Sequence, residues 1–207
     1  KFGTFLTLLF AIPMTIEVDS LIKIWLKTPP LLAADFCKLV ILQMILDTLT
    51  TGYMSGIMAS GNIKWYQLTT GSICILSIPI AGVVLYLGGS PTSVSMVIAV
   101  CFAACSAARL AFGKSLMGIE VKHWVHGVFL PILIITIVSD AVGILFTLII
   151  PEASFIRLCT TTALCCASMF VLAWRFLFDT AERAMIVRVL GSIRAKMPFI
   201  NKKQHLQ

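Results

Sequence analysis

The sequence predicts an all-α protein that crosses a membrane six times, and three observations support this fold class. Hydrophobic residues make up 59% of the 207 residues and charged residues only 12%, about half of the ~25% that is usual in a soluble domain. The apolar residues gather into runs of roughly 20, the length that a helix needs to span the hydrocarbon core. The short alternating segments that build a membrane β-barrel are absent from the sequence.

Six apolar runs are predicted as membrane spans. They are residues 1–26, 35–59, 66–88, 92–112, 127–150 and 154–178. Turn-forming stretches such as KTPP, SGN and GGSP separate them. Residues 1–178 are therefore expected to form one six-helix bundle, and residues 179–207 a basic amphipathic tail. The first run is the weakest because Glu17 and Asp19 interrupt it, and a local ion pair with Lys23 is expected there.

The distribution of Lys and Arg predicts the orientation of the bundle. Twelve of these residues fall at one set of helix ends and in the tail, and four at the other set. Because cytoplasmic loops carry the excess of positive charge, the first set is expected to face the cytoplasm of a bacterial inner membrane, with both ends of the chain inside. This asymmetry accounts for the net charge of +7, so no nucleic-acid partner is expected.

Two segments are expected to lie on the membrane surface instead of crossing it. Residues 115–124 join the fourth and fifth spans. In residues 182–197, apolar side chains recur at spacings of three and four with basic residues between them, as in an interfacial amphipathic helix. A solvated tail is the alternative.

Polar residues inside the second run are the first candidate for a transport path. Gln43, Asp47, Thr50 and Thr51 are spaced so that they share one face of a helix. A carboxylate at mid-span is costly unless it faces an interior or a water-filled path, so this face could hold a proton, a sodium ion or a sugar hydroxyl. The structural alternative is a hydrogen bond between packed helices.

A second polar face is expected on the fifth span, where Thr136, Asp140, Gly143 and Thr147 follow one another at spacings of three and four. It too could carry transport or serve only packing. Arg157, near the outer end of the sixth span, could receive an anionic group such as a pyrophosphate, or could extend to the outer headgroups, which is the preferred interpretation.

Enzyme and metal chemistry find no support in the sequence. No G-x-S-x-G or H-E-x-x-H motif occurs, and the seven cysteines lie in apolar runs without metal-ligand spacing. The cysteines are expected to be small buried side chains. Neither catalytic residues nor a cofactor is therefore expected, apart from a proton or sodium ion that could drive transport.

A series of turns between residues 21 and 91 resembles the C-terminal half of bacterial polysaccharide flippases, the O-antigen and lipopolysaccharide flippases of the multidrug/oligosaccharidyl-lipid/polysaccharide exporter superfamily. The shared residues are Trp25-Leu26 with Pro29, then Ala59, Ser60, Gly61, Ile63, Lys64, Tyr66 and Gln67, then Ile78-Pro79-Ile80, Leu87-Gly88 and Pro91. Residues 92–207 agree with the family in helix number, orientation and basic tail, without a sharp motif.

The turn motif at Gly61, Lys64, Tyr66 and Gln67 is expected to fix topology. Gly61 would permit the left-handed or tight conformation that ends a helix, and Lys64 would hold the turn in the cytoplasm. Trp65 and Tyr66 would anchor the next helix at the membrane interface.

The resemblance implies a two-lobe transporter, of which this chain would be the C-terminal lobe and a missing N-terminal half the partner. It also implies a substrate, a lipid-linked oligosaccharide repeat unit moved between leaflets by alternating access, with membrane lipids around it. Family cavities are often lined by basic residues, whereas the span centres here hold acids. Two alternatives stay open: a cation-coupled multidrug exporter of the same superfamily, and an intramembrane glycan-processing enzyme.

Overall fold

A computed structural model describes residues 1–26, 28–150 and 155–196, with side chains up to residue 188. The described residues form an all-helical chain without strands. Its helices are α1 (Phe2–Trp25), α2 (Ala33–Thr48), α3 (Thr51–Ala59), α4 (Lys64–Tyr86), α5 (Pro91–Met117), α6 (Val121–Trp124), α7 (Leu130–Ile149), α8 (Phe155–Leu172) and α9 (Thr180–Lys196). The π-helical segments Val125–Phe129 and Ala173–Leu177 follow α6 and α8 without a break.

Five helical stretches among the described residues are long and apolar enough to cross a membrane. They are Phe2–Trp25, Lys64–Tyr86, Pro91–Met117, Val121–Ile149 and Phe155–Leu177, and they correspond to five of the six predicted runs. The second run, residues 35–59, is not one continuous helix, because it is divided into α2 and α3 at Leu49 and Thr50.

The ends of the long helices follow local backbone chemistry. Gly88 has φ of 87° after α4, and Pro91 is the first residue of α5, where a missing N–H costs nothing. Gly118 has φ of 65° and ends α5. The expected surface segment 115–124 contains the end of α5 at Met117, a three-residue turn and the start of α6 at Val121, and its position relative to a membrane stays a prediction.

The bundle consists of two groups of helices that meet where α1 packs against α2. In the first group α5 is central and contacts α2, α3 and α4, and in the second group α1, α7 and α8 contact one another. Buried residues of the second group form the largest apolar core, which includes Leu8, Ile12, Ile135 and Met169. Large apolar side chains are exposed along α4 and α7, as expected of helices in contact with lipid.

The two ends of the bundle differ in their residues. Lys1, Lys64, Met117 and Asp179 lie at one end, which we call the basic end. Trp25, Ala33, Pro91 and Phe155 lie at the opposite end. The predicted tail is helical as α9, with Ile186 against the core and Met185 exposed; contact of α9 with a membrane surface stays a prediction, and Met197 falls outside the described residues.

The expected local ion pair of Glu17 and Asp19 with Lys23 is wrong. Glu17 pairs with Arg157 of α8 at 2.9 Å, and Asp19 pairs with Lys38 of α2 at 3.1 Å. Both carboxylates therefore join α1 to a neighbouring helix instead of to the next turn of α1.

Candidate functional site

The break between α2 and α3 lies inside the second predicted run, and side chains from other helices complete its hydrogen bonds. The break changes the backbone partners of nearby carbonyls: the Asp47 carbonyl accepts the Thr50 N–H at 3.3 Å, from three residues on instead of four. Ser106 donates to the Leu46 carbonyl, Arg109 to the Asp47 carbonyl at 3.1 Å, and Thr4 to the Thr48 carbonyl at 3.3 Å. Because unpaired carbonyls are costly away from water, these donors from α5 and α1 stabilise the break.

An ion pair holds Asp47 at this break. Nη1 of Arg109 lies 2.6 Å from Oδ1 of Asp47, and it also donates to the Thr50 hydroxyl at 3.4 Å. Arg109 is 9% exposed and Thr50 is buried, whereas the Asp47 side chain is 36% exposed. Arg109 is one of the twelve basic residues that the sequence assigns to the cytoplasmic helix ends, and its side chain reaches from there to Asp47.

The helical face predicted for the second run holds only in part. Gln43 lies on the α5 side, where its amide donates to the Ser95 carbonyl at 2.9 Å. Asp47 and Thr50 both meet Arg109, but the Thr51 hydroxyl turns back to the Asp47 carbonyl at 2.9 Å. This bond is the ordinary contact of a helical threonine with the carbonyl four residues earlier, so Gln43, Asp47 and Thr50 are the members of the predicted face that contact α5.

The turn motif contributes to the same site. Gly61 has φ of 76°, which confirms the left-handed conformation predicted for it, and Lys64 begins α4 and lies over the ring of Trp65. Tyr66 is 2% exposed, so the prediction that it anchors the chain at the interface is wrong. Its hydroxyl instead accepts a hydrogen bond from Nε of Arg109 at 3.3 Å.

A cavity of about 500 Å³ lies beside this cluster, between α3, α4 and α5. Tyr66, Gln67, Thr70 and Arg109 are among its lining residues, together with the thiols of α4 and α5. Among the described residues, Nη2 of Arg109 and the Gln67 amide have no hydrogen-bond partner. The cavity can therefore offer donors to a ligand, while Asp47 balances the charge of Arg109.

A second buried ion pair joins α1 to α8 near the opposite end. Glu17 bonds to Nη2 of Arg157 at 2.9 Å and to the Thr161 hydroxyl at 3.0 Å, and Arg157 also donates to Ser20. The side chains of Glu17 and Arg157 are 3% and 11% exposed. Arg157 is thus turned inward, and the expected extension to the headgroups is wrong.

Asp140 lies half-buried on α7, apart from both ion pairs. It has no hydrogen bond or ion pair to any described residue. Of the face predicted around it, Thr136 and Thr147 donate to carbonyls of their own helix, and Gly143 packs closely against Ile16 and Cys165. No hydrogen bond joins Asp140 to Asp47 in the described part of the chain.

The cysteines form no disulfide within the described residues. The cysteines are free, and only Cys105 and Cys165 of the seven are buried, so the expectation that all are buried holds only in part. Groups of three or more His, Cys, Asp or Glu residues that could hold a metal ion do not occur among residues 1–26, 28–150 and 155–196.

Four partners in the site escaped sequence reasoning, namely the donors Thr4, Ser106 and Arg109 and the acceptor carbonyl of Ser95. Of these, only Arg109 carried a signal, as a charged residue eight positions before the end of a long apolar helix. This distance from the helix end could have indicated that Arg109 is not a cation of the membrane interface.

Comparison of the chain with protein-family models, with curated proteins and with solved structures finds no match. The resemblance of residues 21–91 to polysaccharide flippases therefore stays a prediction.

Proposed function

We propose that this chain is one lobe of a membrane transporter that moves a lipid-linked oligosaccharide between the leaflets of the bacterial inner membrane. The observation that carries the proposal is the helix break in the second predicted run, held by the Asp47–Arg109 ion pair. Irregular backbone at membrane depth is tolerated where protein buries it or where it lines a cavity, and transporters use such breaks at substrate and ion sites.

The sixth crossing of this proposal consists of α2 and α3 together. The 16 residues of α2 extend over about 24 Å and the 9 residues of α3 over about 14 Å. Neither alone spans a hydrocarbon core of about 30 Å, but the two in succession do. The basic end then faces the cytoplasm, since it gathers most of the Lys and Arg residues.

In this proposal the turn motif, which resembles that of the flippases, contributes to the transport site. Its residues Gly61, Lys64, Tyr66 and Gln67 lie directly after α3, and Tyr66 contacts the arginine that holds Asp47. Gln67 lines the adjoining cavity. A sugar–pyrophosphate head cannot cross the hydrocarbon core unaided, because burial of charge is costly, so polar surface of this kind suits such a cargo.

The coupling ion of the proposal is a proton or sodium ion at Asp140. An ionised carboxylate on a spanning helix is costly without a partner, and Asp140 has no hydrogen-bond or ion-pair partner among the described residues. Loss of this carboxylate in Asp140→Asn should abolish dependence on the ion gradient.

The deciding experiment uses a strain that lacks the full-length gene. Lipid extracts should accumulate a finished undecaprenyl-linked repeat unit, and surface polysaccharide should disappear. Asp47→Asn should restore transport poorly although the protein stays abundant in the membrane, whereas Lys38→Gln should restore it fully. Normal glycan with raised sensitivity to cationic drugs would replace the proposal by a multidrug exporter, and glycan products without any gradient would favour an enzyme.

A further inference from the structure

A second cavity, of about 480 Å³, lies at the basic end between the start of α1, the α2–α3 break and α6. We call it the Trp124 cavity. Thr4, Thr48, Thr51, Tyr53, Met117 and Trp124 are among the residues that line it. Its volume lies within the range of roughly 300–1,000 Å³ that is usual for small-molecule sites.

Two aromatic side chains form one wall of the Trp124 cavity. The rings of Tyr53 and Trp124 meet edge to face, with centroids 6.4 Å apart. Trp124 also packs against Phe129 at 5.7 Å, so its ring is held in place. Such rings offer an apolar surface and a polar tip in the same wall.

Two hydrogen-bond donors on this wall are not used by the protein. The indole N–H of Trp124 and the hydroxyl of Tyr53 have no hydrogen-bond partner among the described residues, although Trp124 is 8% exposed. Neither atom is among the buried polar atoms that lack a partner in the described residues, so both are open to water or to a ligand that enters the cavity. An acceptor supplied by a ligand would satisfy both.

The charge balance of the Trp124 cavity favours a neutral ligand. Among the described residues that line the cavity, Lys1 is the charged one. Its side-chain ammonium group is paired with Asp179 at 2.8 Å and with Glu182 at 3.5 Å. The hydrogen bond to Asp179 raises the pKa of Lys1, so the group stays charged and matched. The threonine hydroxyls add polar surface without charge.

We infer that the Trp124 cavity binds a neutral polyhydroxylated group, a sugar ring, through the Trp124 N–H and the Tyr53 hydroxyl. A sugar ring presents acceptor oxygens at its edge and apolar C–H groups on its faces, which match the two donors and the two aromatic rings. The sugar could be free or carried on a lipid. Its assignment to the transported cargo rests on the proposed function, whereas binding itself does not.

The test uses the chain in phosphatidylcholine nanodiscs, with Trp25, Trp65 and Trp174 replaced by Phe so that Trp124 is the remaining fluorophore. Maltose is titrated as the free sugar, and monoglucosyl-diacylglycerol is incorporated as the lipid-borne sugar. Phosphatidylglycerol, an anionic lipid, is the control. A saturable change in Trp124 fluorescence with a sugar, and none with phosphatidylglycerol, is expected; the arm with the higher affinity identifies the source.

Tyr53→Phe removes one donor and keeps the ring, so it should weaken sugar binding about two- to tenfold, the worth of one hydrogen bond. Tyr86→Phe, at an exposed tyrosine of the opposite end, should leave binding unchanged. Calorimetry with the native tryptophans repeats the comparison in case the triple variant misfolds. No saturable response to either sugar, an equal response to phosphatidylglycerol, or unchanged binding by Tyr53→Phe would overturn the inference. Binding without glycan transport would refute the proposed function alone, and transport without binding would refute this inference alone.

Discussion

The ion pair between Asp47 and Arg109 should contribute measurably to the stability of the helix break, and a double-mutant cycle can isolate its contribution. Asp47→Asn and Arg109→Gln are made singly and together. Two unit charges about 4 Å apart interact by roughly 4 kcal/mol at the effective dielectric constant near a protein surface. The Asp47 side chain is 36% exposed, and solvent screening reduces this figure, so we expect a coupling energy of about 1–3 kcal/mol.

The single variants should differ in their effects for a structural reason. Asp47→Asn leaves Arg109 bonded to the Asp47 carbonyl and to Thr50, so it should cost about 1–2 kcal/mol. Arg109→Gln removes the donors to the Asp47 carboxylate and carbonyl, to Thr50 and to Tyr66 together, so it should cost more, about 3–5 kcal/mol, because several hydrogen bonds are lost at once.

The assay is reversible unfolding in mixed lipid–detergent micelles, from which the free energy of unfolding of each variant is obtained. Asp19 and Lys38 provide a matched control, because this pair also joins two helices but its side chains are 57% and 41% exposed. Its coupling energy should stay within about 0–1 kcal/mol. A coupling energy for Asp47 and Arg109 no larger than that of the control would refute the reasoning that burial at the break strengthens the pair.

Three further substitutions test other parts of the fold by the same unfolding assay. Glu17→Gln should destabilise the bundle by about 1–3 kcal/mol, because it replaces the charged acceptor of Arg157 and Thr161 by a neutral amide, and Glu17→Gln with Arg157→Gln should cost less than the sum of the single losses. Gly61→Ala should cost about 1 kcal/mol, because φ of 76° is unfavourable for a residue with a Cβ atom. Gly143→Ala should cost about 1–3 kcal/mol, because its Cβ would collide with Ile16 Cδ1, and Ile16→Val should recover part of that loss by removing the colliding methyl group.

For each of these predictions, one result would contradict the physical reason given. Gly82 lies within α4 and has open space where a Cβ would be added, so Gly82→Ala should be neutral or slightly stabilising. If Gly61→Ala and Gly82→Ala lowered the free energy of unfolding equally, backbone strain at Gly61 would not be the cause. Failure of Ile16→Val to improve Gly143→Ala would assign the cost to Cys165 instead. Strictly additive losses at Glu17 and Arg157 would mean that the two charges act independently.

The five long helices could be predicted from the sequence because length and hydropathy are local properties. The break at Leu49 and Thr50 could not, since residues 35–59 form one apolar run and the break depends on donors elsewhere in the chain. Thr4 lies 44 residues before the carbonyl it bonds, and Arg109 lies 62 residues after Asp47. Helix propensity and hydropathy depend on neighbouring residues in the sequence, so they cannot predict such long-range contacts.

Two parts of the candidate site could be predicted from the sequence, namely the acidic residue Asp47 and the glycine of the turn motif. Asp47 was found because a carboxylate in an apolar run is conspicuous, and Gly61 because a glycine after a helix has a known backbone role. Tyr66 and Arg109 were misplaced for one shared reason. Both lie close to predicted helix ends, where interfacial anchoring explains an aromatic or basic residue without any partner, and only the packing of α4 against α5 brings them together.

The polar contacts of the bundle are distributed unequally between its two helix groups and the seam that joins them. Both buried ion pairs lie within a helix group, Asp47–Arg109 between α2 and α5 and Glu17–Arg157 between α1 and α8. The seam between the groups, where α1 meets α2, is held besides apolar packing by the hydroxyl contact of Thr4 and by the exposed pair of Asp19 and Lys38, each worth about 1 kcal/mol or less. Sliding along this seam would break these weak polar contacts together with the apolar packing of Ile45 and Leu49 against the core of the second group. Because the Thr4 contact ends at the α2–α3 break, a displacement of α1 would act directly on the backbone next to the carbonyl that Arg109 holds.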